Sequence, residues 1–313
     1  MVPSITARAP AKLNLGLSIV GRRADGYHDL ISVFHAVDWQ DTLEIVEIPS
    51  GIEFACSSCD GVPGAPQNLV FRALELVFQR FRITRGVAAR LQKEIPAGAG
   101  LGGGSSDAAA TLRAVRRLFN LQGDEDSWLL LCQQLGSDVP FFWRGGTALV
   151  EGRGERLTPL SIDERLWFVV VVPPIHISTA WAYGQLSKPS GGNQDYRDRI
   201  QRLRAGELSL SDFCREIPND FERVVEAAFP RIGEIRRALE ASGAISARMS
   251  GSGSSVFGVY SKQEEAQRAA ALFPSDCLVR CVRGCPPPVI KCSEGGVFGN
   301  AVIGVCRAGC VVP

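Results

Sequence analysis

The clearest chemical capacity in this chain lies in the run Pro96-Ala97-Gly98-Ala99-Gly100-Leu101-Gly102-Gly103-Gly104-Ser105-Ser106-Asp107. Its dense glycines remove the Cβ atoms that hold an anion away from the backbone, so successive amide N–H groups can turn inward around phosphate oxygens. A helix starting there points its positive end at the same place. Ser105 and Ser106 add hydroxyls that could reach a magnesium ion bridging the phosphates. A flexible loop ending in an ordinary helix cap is the plainer reading, but the run's place between a strand and an apolar helix favours an anion site. No Lys follows the last glycine, so it is not a Walker loop. Gly98, Gly100 and Gly103 satisfy GxGxxG, yet several antiparallel-looking strands come first, which fits a dinucleotide fold poorly.

Other segments carry weaker signals. In Arg8–Leu15, strand alternation puts Lys12 and Asn14 on one face and Leu13 and Leu15 on the other; the polar pair also fits the solvent face of a half-buried strand. Asp25-Gly26-Tyr27-His28 is a tight turn with an aromatic and one of three histidines, suited to ligand contact or to a surface hairpin. In Gly136–Phe142, Asp138 sits on a turn beside apolar residues, where it could act on a ligand or simply close the turn. Ser250–Ser255 is a small-residue turn between strands, again open to either use.

The elements that must position these groups follow from periodicity. Short strands are expected at Ile5–Arg8, Leu13–Val20, Leu30–Val37 and Thr42–Glu47, then a helix over Asn68–Phe81 and a strand over Val87–Glu94. Ser105–Asn120 reads as a helix with Arg113, Arg116 and Arg117 mostly off its apolar face. Asp126–Leu135 reads as another, after which Gly136 and Pro140 stop helix propagation. Phe168–Val172 is a buried central strand, and the domain boundary is placed just before it, near Ser161. Helices (about 179–187, 195–204, 218–227, 230–241 and 263–272) then alternate with strands (245–249, 255–260 and 277–282), giving an α+β class. Ser187–Asn193 reads as a loop. The division is residues 1–160, 161–283 and an irregular Cys-rich tail, 284–313.

Composition narrows the partners. Lys plus Arg number 34 against 33 for Asp plus Glu, so no field points to nucleic acid or a membrane, and a small molecule is the expected ligand. No apolar run is long enough for a membrane span and the first ten residues lack a signal peptide's order, so a cytoplasmic protein is expected. Cys281, Cys285, Cys292, Cys306 and Cys310 crowd the C-terminus, but without tight CxxC pairs or a nearby His they suggest scattered thiols; Cys56 and Cys59 form a lone CxxC.

Taken together and in this order, the strand with Pro10 and Asn14, the central glycine loop and the Gly251-Ser252-Gly253 turn resemble the three motifs of the GHMP kinase superfamily. The similarity runs from about Arg8 to Arg283. The resemblance implies a two-domain fold, with a ribosomal protein S5 domain 2-like N-terminal domain and a ferredoxin-like C-terminal one. Arg23–His28, with Gly136–Pro140 downstream, is similar to the branch that phosphorylates the 2-hydroxyl, a tertiary alcohol, of a cytidine-diphosphate-linked methylerythritol in non-mevalonate isoprenoid synthesis. By that resemblance Lys12 and Asp138 are the catalytic pair. Pro96, Gly98, Gly100, Leu101, Gly102, Gly103, Gly104, Ser105 and Ser106 hold ATP with Mg2+, and Asn68 and Leu69 lie beside the adenine. Asn14 and Thr179 face the substrate, the cytosine stacks on Tyr27 and Tyr183, and His28 hydrogen-bonds its edge. No metal ligand is assigned, and a monomer or weak homodimer is expected. The Cys-rich tail matches nothing in the family. A kinase of another small alcohol such as homoserine, a nucleotide sensor without turnover and a dinucleotide oxidoreductase are the alternatives.

Overall fold

In the computed structural model, residues 4–57, 62–186, 193–285, 291–293 and 306–307 are described. Two long strands, β1 (Ser4–Arg22) and β2 (His28–Ile48), pair antiparallel along most of their length. They replace the four short strands expected. Register shifts at Pro10/Ala11, Asn14/Leu17 and Ile19/Gly21 absorb the residues that read as breaks, so pairing continues past them.

β3 (Ile52–Ser57), helix α1 (Leu69–Phe81) and β4 (Gly86–Gln92) form a parallel crossover unit. The glycine loop follows β4, at the end of this unit and not at its opening. It leads into α2 (Gly103–Leu118), followed by α3 (Glu125–Leu135) and α4 (Val139–Arg144). Sequence periodicity misses α4, because Gly136 and Pro140 read as stops. Pro140 instead stands in the first turn, where a missing N–H costs nothing and its fixed φ suits the helix. Arg113 also departs from expectation. It is buried in α2 and donates to the carbonyls of Phe142 at 2.6 Å and Trp143 at 3.2 Å, which ties the end of α4 to α2.

β5 (Thr147–Gly152) and β6 (Arg156–Leu160), a hairpin the periodicity does not reveal, extend the sheet from the first half of β2, while β4 pairs with its second half. A second, antiparallel sheet has the order β10 (Leu278–Arg283), β7 (Trp167–Val172), β9 (Val256–Tyr260), β8 (Ser246–Met249). Between β7 and β8 come α5 (Thr179–Gly184), α6 (Asn193–Arg204), α7 (Leu210–Glu216), α8 (Glu222–Ala228) and α9 (Pro230–Ala241). Helix α10 (Gln263–Ala270) lies between β9 and β10. Two short tail segments are strands: β11 (Lys291–Ser293) on β1 and β12 (Cys306–Arg307) on β3. The expected irregular tail is corrected at those two points. The Ser187–Asn193 loop, apart from the backbone of Asn193 in α6, lies outside the described residues, as do Cys59 and Cys310.

The two sheets share a core. Leu13, Leu15 and Val33 from the first join Phe168, Val170 and Phe257 from the second, all essentially solvent-free. With Leu13 and Leu15 committed to that layer, strand alternation sends Lys12 and Asn14 to the other face of β1, against the glycine loop.

Candidate active site

Lys12 and Asn14 are only 4% and 1% exposed, which excludes the solvent-face reading. Burying an ammonium is costly unless its donors are used, and here they are. Lys12 Nζ donates to Asn14 Oδ1, and to Gly100 O at 2.8 Å, and lies 4.9 Å from the centroid of the Phe34 ring. Asn14 Nδ2 donates to Ser32 Oγ at 3.0 Å, and Ser32 Oγ to Gly16 O at 2.6 Å. Burial lowers the Lys12 pKa, and the charge of Asp138 works against that shift.

The glycine loop is clamped from both sheets. Lys12 N donates to Leu101 O at 3.0 Å; Ser250 Oγ donates to Gly100 O at 3.0 Å and Ser255 Oγ to Ala99 O at 2.6 Å. A Cβ on Gly100 would come within 2.1 Å of the Ser250 carbonyl oxygen, so the two small-residue turns touch backbone to backbone. Gly102 has φ +73° and a Cβ there would meet Phe142 at 2.7 Å; it is the N-cap of α2. Ser106 Oγ is buried and has no hydrogen-bond partner. A cradle that a Cβ would fill, at the head of a helix with an unpaired buried hydroxyl, fits nucleotide phosphates and an accompanying cation.

Beneath this loop, Lys93 Nζ bridges Asp41 Oδ2 at 2.5 Å and Asp107 Oδ2 at 2.9 Å, and Asp41 Oδ1 accepts from the amides of Glu94 and Ile95 at 2.6 and 2.9 Å. The triad ties the start of α2 to the interior of β2 and the end of β4. Burial pushes the Asp107 carboxyl up to about 8 against the pull of Lys93.

Lys12, Asn14, Gly100, Gly102, Asp138, Gly251 and Thr179 line one end of a cavity of about 750 Å³, and Tyr27, His28, Arg153 and Tyr183 line the other. The structure therefore brings the lysine of β1 and the aspartate before α4 to one space. Tyr27 is 54% exposed on its turn, with the Arg153 guanidinium 3.8 Å from its ring centroid. The His28 and Tyr183 rings stack at 5.0 Å and 27°, and Thr179 Oγ1 lies 3.0 Å from Ser252 Oγ. Burial, reinforced by Arg22, lowers the His28 pKa, which favours the neutral ring. Burial, reinforced by Asp138, pushes the Tyr183 phenol up to about 12.

Pro96, Gly98, Gly103, Gly104, Ser105 and Ser106 belong to the loop and helix start outside that cavity's wall, and Leu101 is buried beneath it. Leu69 reaches the loop: a Cβ on Gly104 would lie 3.6 Å from its Cδ1. Asn68 is the N-cap of α1, accepting from Val70 N at 2.9 Å and donating to Pro63 O at 3.0 Å. Its side chain is thus engaged in holding the helix start.

Several residues had no chemical signal in the sequence. Asn219 Nδ2 donates to Met249 O and Gly251 O, both at 2.8 Å, and Glu222 accepts from Met249 N at 2.8 Å. Asp220 accepts from Ile19 N at 2.7 Å, while Leu17 N donates to Pro218 O at 3.1 Å. The stretch 218–222 therefore fastens β1 to the turn after β8, although periodicity reads a helix over about 218–227; the helix begins only at Glu222.

The models described as GHMP kinases N terminal domain and GHMP kinases C terminal match residues 68–146 and 201–276. The 4-diphosphocytidyl-2-C-methyl-D-erythritol kinase of Geobacter metallireducens is 40% identical over 283 residues, 90% of this chain and 98% of its own. The kinase of the same name from Bacillus velezensis is 36% identical over 264 residues, 84% of this chain and 91% of its own. A crystal structure of 4-(cytidine 5'-diphospho)-2C-methyl-D-erythritol kinase matches with TM-score 0.75 and 34% identity, covering 90% of this chain and 99% of that one. Homoserine kinase from Cytophaga hutchinsonii shares the fold alone, with TM-score 0.73 and 19% identity over 92% of this chain and 97% of its own.

Proposed function

We infer the reaction from the family to which this chain belongs, the 4-diphosphocytidyl-2-C-methyl-D-erythritol kinases of the GHMP kinase superfamily: it is an ATP-dependent phosphotransferase. Its acceptor is the 2-hydroxyl of 4-diphosphocytidyl-2-C-methyl-D-erythritol, and the product feeds non-mevalonate isoprenoid synthesis. The observation that carries the reading on this chain's own residues is the meeting of Lys12 and Asp138 in one cavity bordered by the glycine loop.

The residues divide the work. Asp138 accepts the proton of the substrate hydroxyl. A carboxylate is too weak a base to strip a ground-state alcohol, but in a loose transition state the proton leaves late, when the oxygen has become more acidic. Lys12 offsets charge gathering on the transferred group. Asn14 fixes the Lys12 ammonium and is itself fixed by Ser32, so neither group reorganises during the reaction. Backbone amides of the loop and the start of α2 hold the β- and γ-phosphates. Ser105 and Ser106 would hold magnesium, which supplies charge neutralisation for those phosphates. The cytosine stacks on Tyr27 and Tyr183, and His28 hydrogen-bonds its polar edge; all three line the cavity.

Purified protein given ATP and 4-diphosphocytidyl-2-C-methyl-D-erythritol is expected to form ADP and the 2-phosphate, with no comparable turnover on homoserine. Phosphorylation of homoserine alone would reverse the substrate assignment, and nucleotide binding without turnover on either alcohol would support a sensor.

A further inference from the structure

The turn between β5 and β6 stands between the two ends of the cavity. A Cβ on Gly154 would lie 3.6 Å from Asp138 Oδ1 and 3.3 Å from Ser137 Cβ, so the turn backbone packs against the catalytic end. One residue earlier, Arg153 lies over Tyr27 at the opposite end, its guanidinium carbon 3.8 Å from the ring centroid. Adjacent Cα atoms are about 3.8 Å apart, so a single dipeptide links the two ends. Its backbone is held in place: Arg153 N donates to Glu155 Oε2 at 2.7 Å and Gly154 N to Glu151 O at 3.3 Å.

The charges along the wall are unequal. Lys12, Arg22 and Arg153 line the cavity with Asp138 as its one carboxylate. Lys12 is committed to Asn14 and the Gly100 carbonyl. Among the described residues Arg153 makes no salt bridge; the Asp25 carboxylate is near enough to feel its charge without a direct contact, and a guanidinium over an aromatic ring can still offer the N–H groups on its edge to an anion. Neither arginine belongs to the glycine loop, so their charge is not needed to form that cradle.

We propose that Arg153, assisted by Arg22, forms an anion subsite beside the β5–β6 turn that binds the diphosphate bridge of the acceptor substrate while holding Tyr27 at the base-recognition end. The inference rests on the acceptor proposed above. With the polyol at Asp138 and the base at His28 and Tyr183, the bridge joining them must pass the β5–β6 turn. Phosphate oxygens match the guanidinium edge in geometry and charge.

Calorimetric titration of cytidine and of CDP tests this, with a non-hydrolysable ATP analogue saturating the nucleotide site so that CDP cannot use it. Wild-type protein is expected to prefer CDP over cytidine by about tenfold or more, the range of one charge-assisted contact. Arg153→Gln should bring the two affinities within about twofold, Arg153→Lys should keep part of the preference, and the KM for ATP should stay unchanged in both. In wild-type protein alone, added salt should weaken CDP and spare cytidine. An unchanged CDP preference in Arg153→Gln, or equal loss of both ligands with salt, overturns the subsite and leaves the acceptor assignment standing. Failure of wild-type protein to bind either probe overturns the acceptor assignment itself, and the subsite with it.

Discussion

The two ends of the cavity are built in opposite ways. At the phosphoryl end Lys12 and Asn14 are buried and held by Gly100, Ser32 and Ser250, groups drawn from distant parts of the chain. At the base end Tyr27 is half exposed on a turn, and its ring lies against the guanidinium of Arg153, itself on a turn. The first end carries its cost of order in the folded protein, as a site that stabilises a transition state must. The second can take much of its order from the ligand, and contributes affinity more than rate. Mutations at the two ends should therefore separate kcat from KM.

Asp138→Asn gives the largest expected effect, a loss of at least about a hundredfold in kcat with nucleotide affinity nearly intact, the range of a general base; single-turnover kinetics would measure it. Turnover within a few-fold of wild type would make the aspartate an orienting group. Tyr27→Ala should raise the KM for the acceptor about tenfold or more while leaving that for ATP alone, since stacking on a base is worth about 1–3 kcal/mol. Equal changes in both constants would erase the distinction between the ends.

Asn219→Ala sharpens the comparison from outside the cavity. It strips a donor from the carbonyls of Met249, at the end of β8, and Gly251, in the Gly-Ser-Gly turn, each bond 2.8 Å long, and should lower stability by about 1–3 kcal/mol. Because that turn clamps Gly100, kcat should fall more than either KM, as initial rates on the folded variant would reveal.

Two smaller effects concern pH. Burial lowers the Lys12 pKa, so the alkaline limb of the kcat profile should fall below the pH of about 10.4 at which a free lysine loses its proton. Burial also holds the Glu222 carboxyl up at about 7, although its oxygen accepts from Met249 N. A carboxyl raised above its unfolded value of about 4.3 takes up protons on folding. Its contribution to stability is complete below that value and is lost as pH rises through about 7. Glu222→Gln keeps the acceptor and should flatten the dependence of Tm on pH over this interval, by a few degrees at most.

The sequence by itself carried the local chemistry and the family. The glycine run from Gly98 to Gly104, the Lys12 and Asn14 alternation and the Asp25–His28 turn are each written in a few consecutive residues, because turns, strand faces and helix starts obey short-range rules. The two-domain GHMP kinase fold followed from their order. Within the elements, periodicity found α1, α2 and the second sheet, but it missed α4, where Pro140 starts a helix instead of ending one, and the β5–β6 hairpin. Only the tertiary structure decided that Lys12 and Asn14 are buried, that Arg113 turns inward to hold α4, and that Asn219 and Asp220 join β1 to the turn after β8. It also set Arg153 over Tyr27 and its neighbour Gly154 beside Asp138. Each of these depends on which surface covers a side chain, and that surface comes from residues tens to hundreds of positions away, to which short-range spacing gives no access.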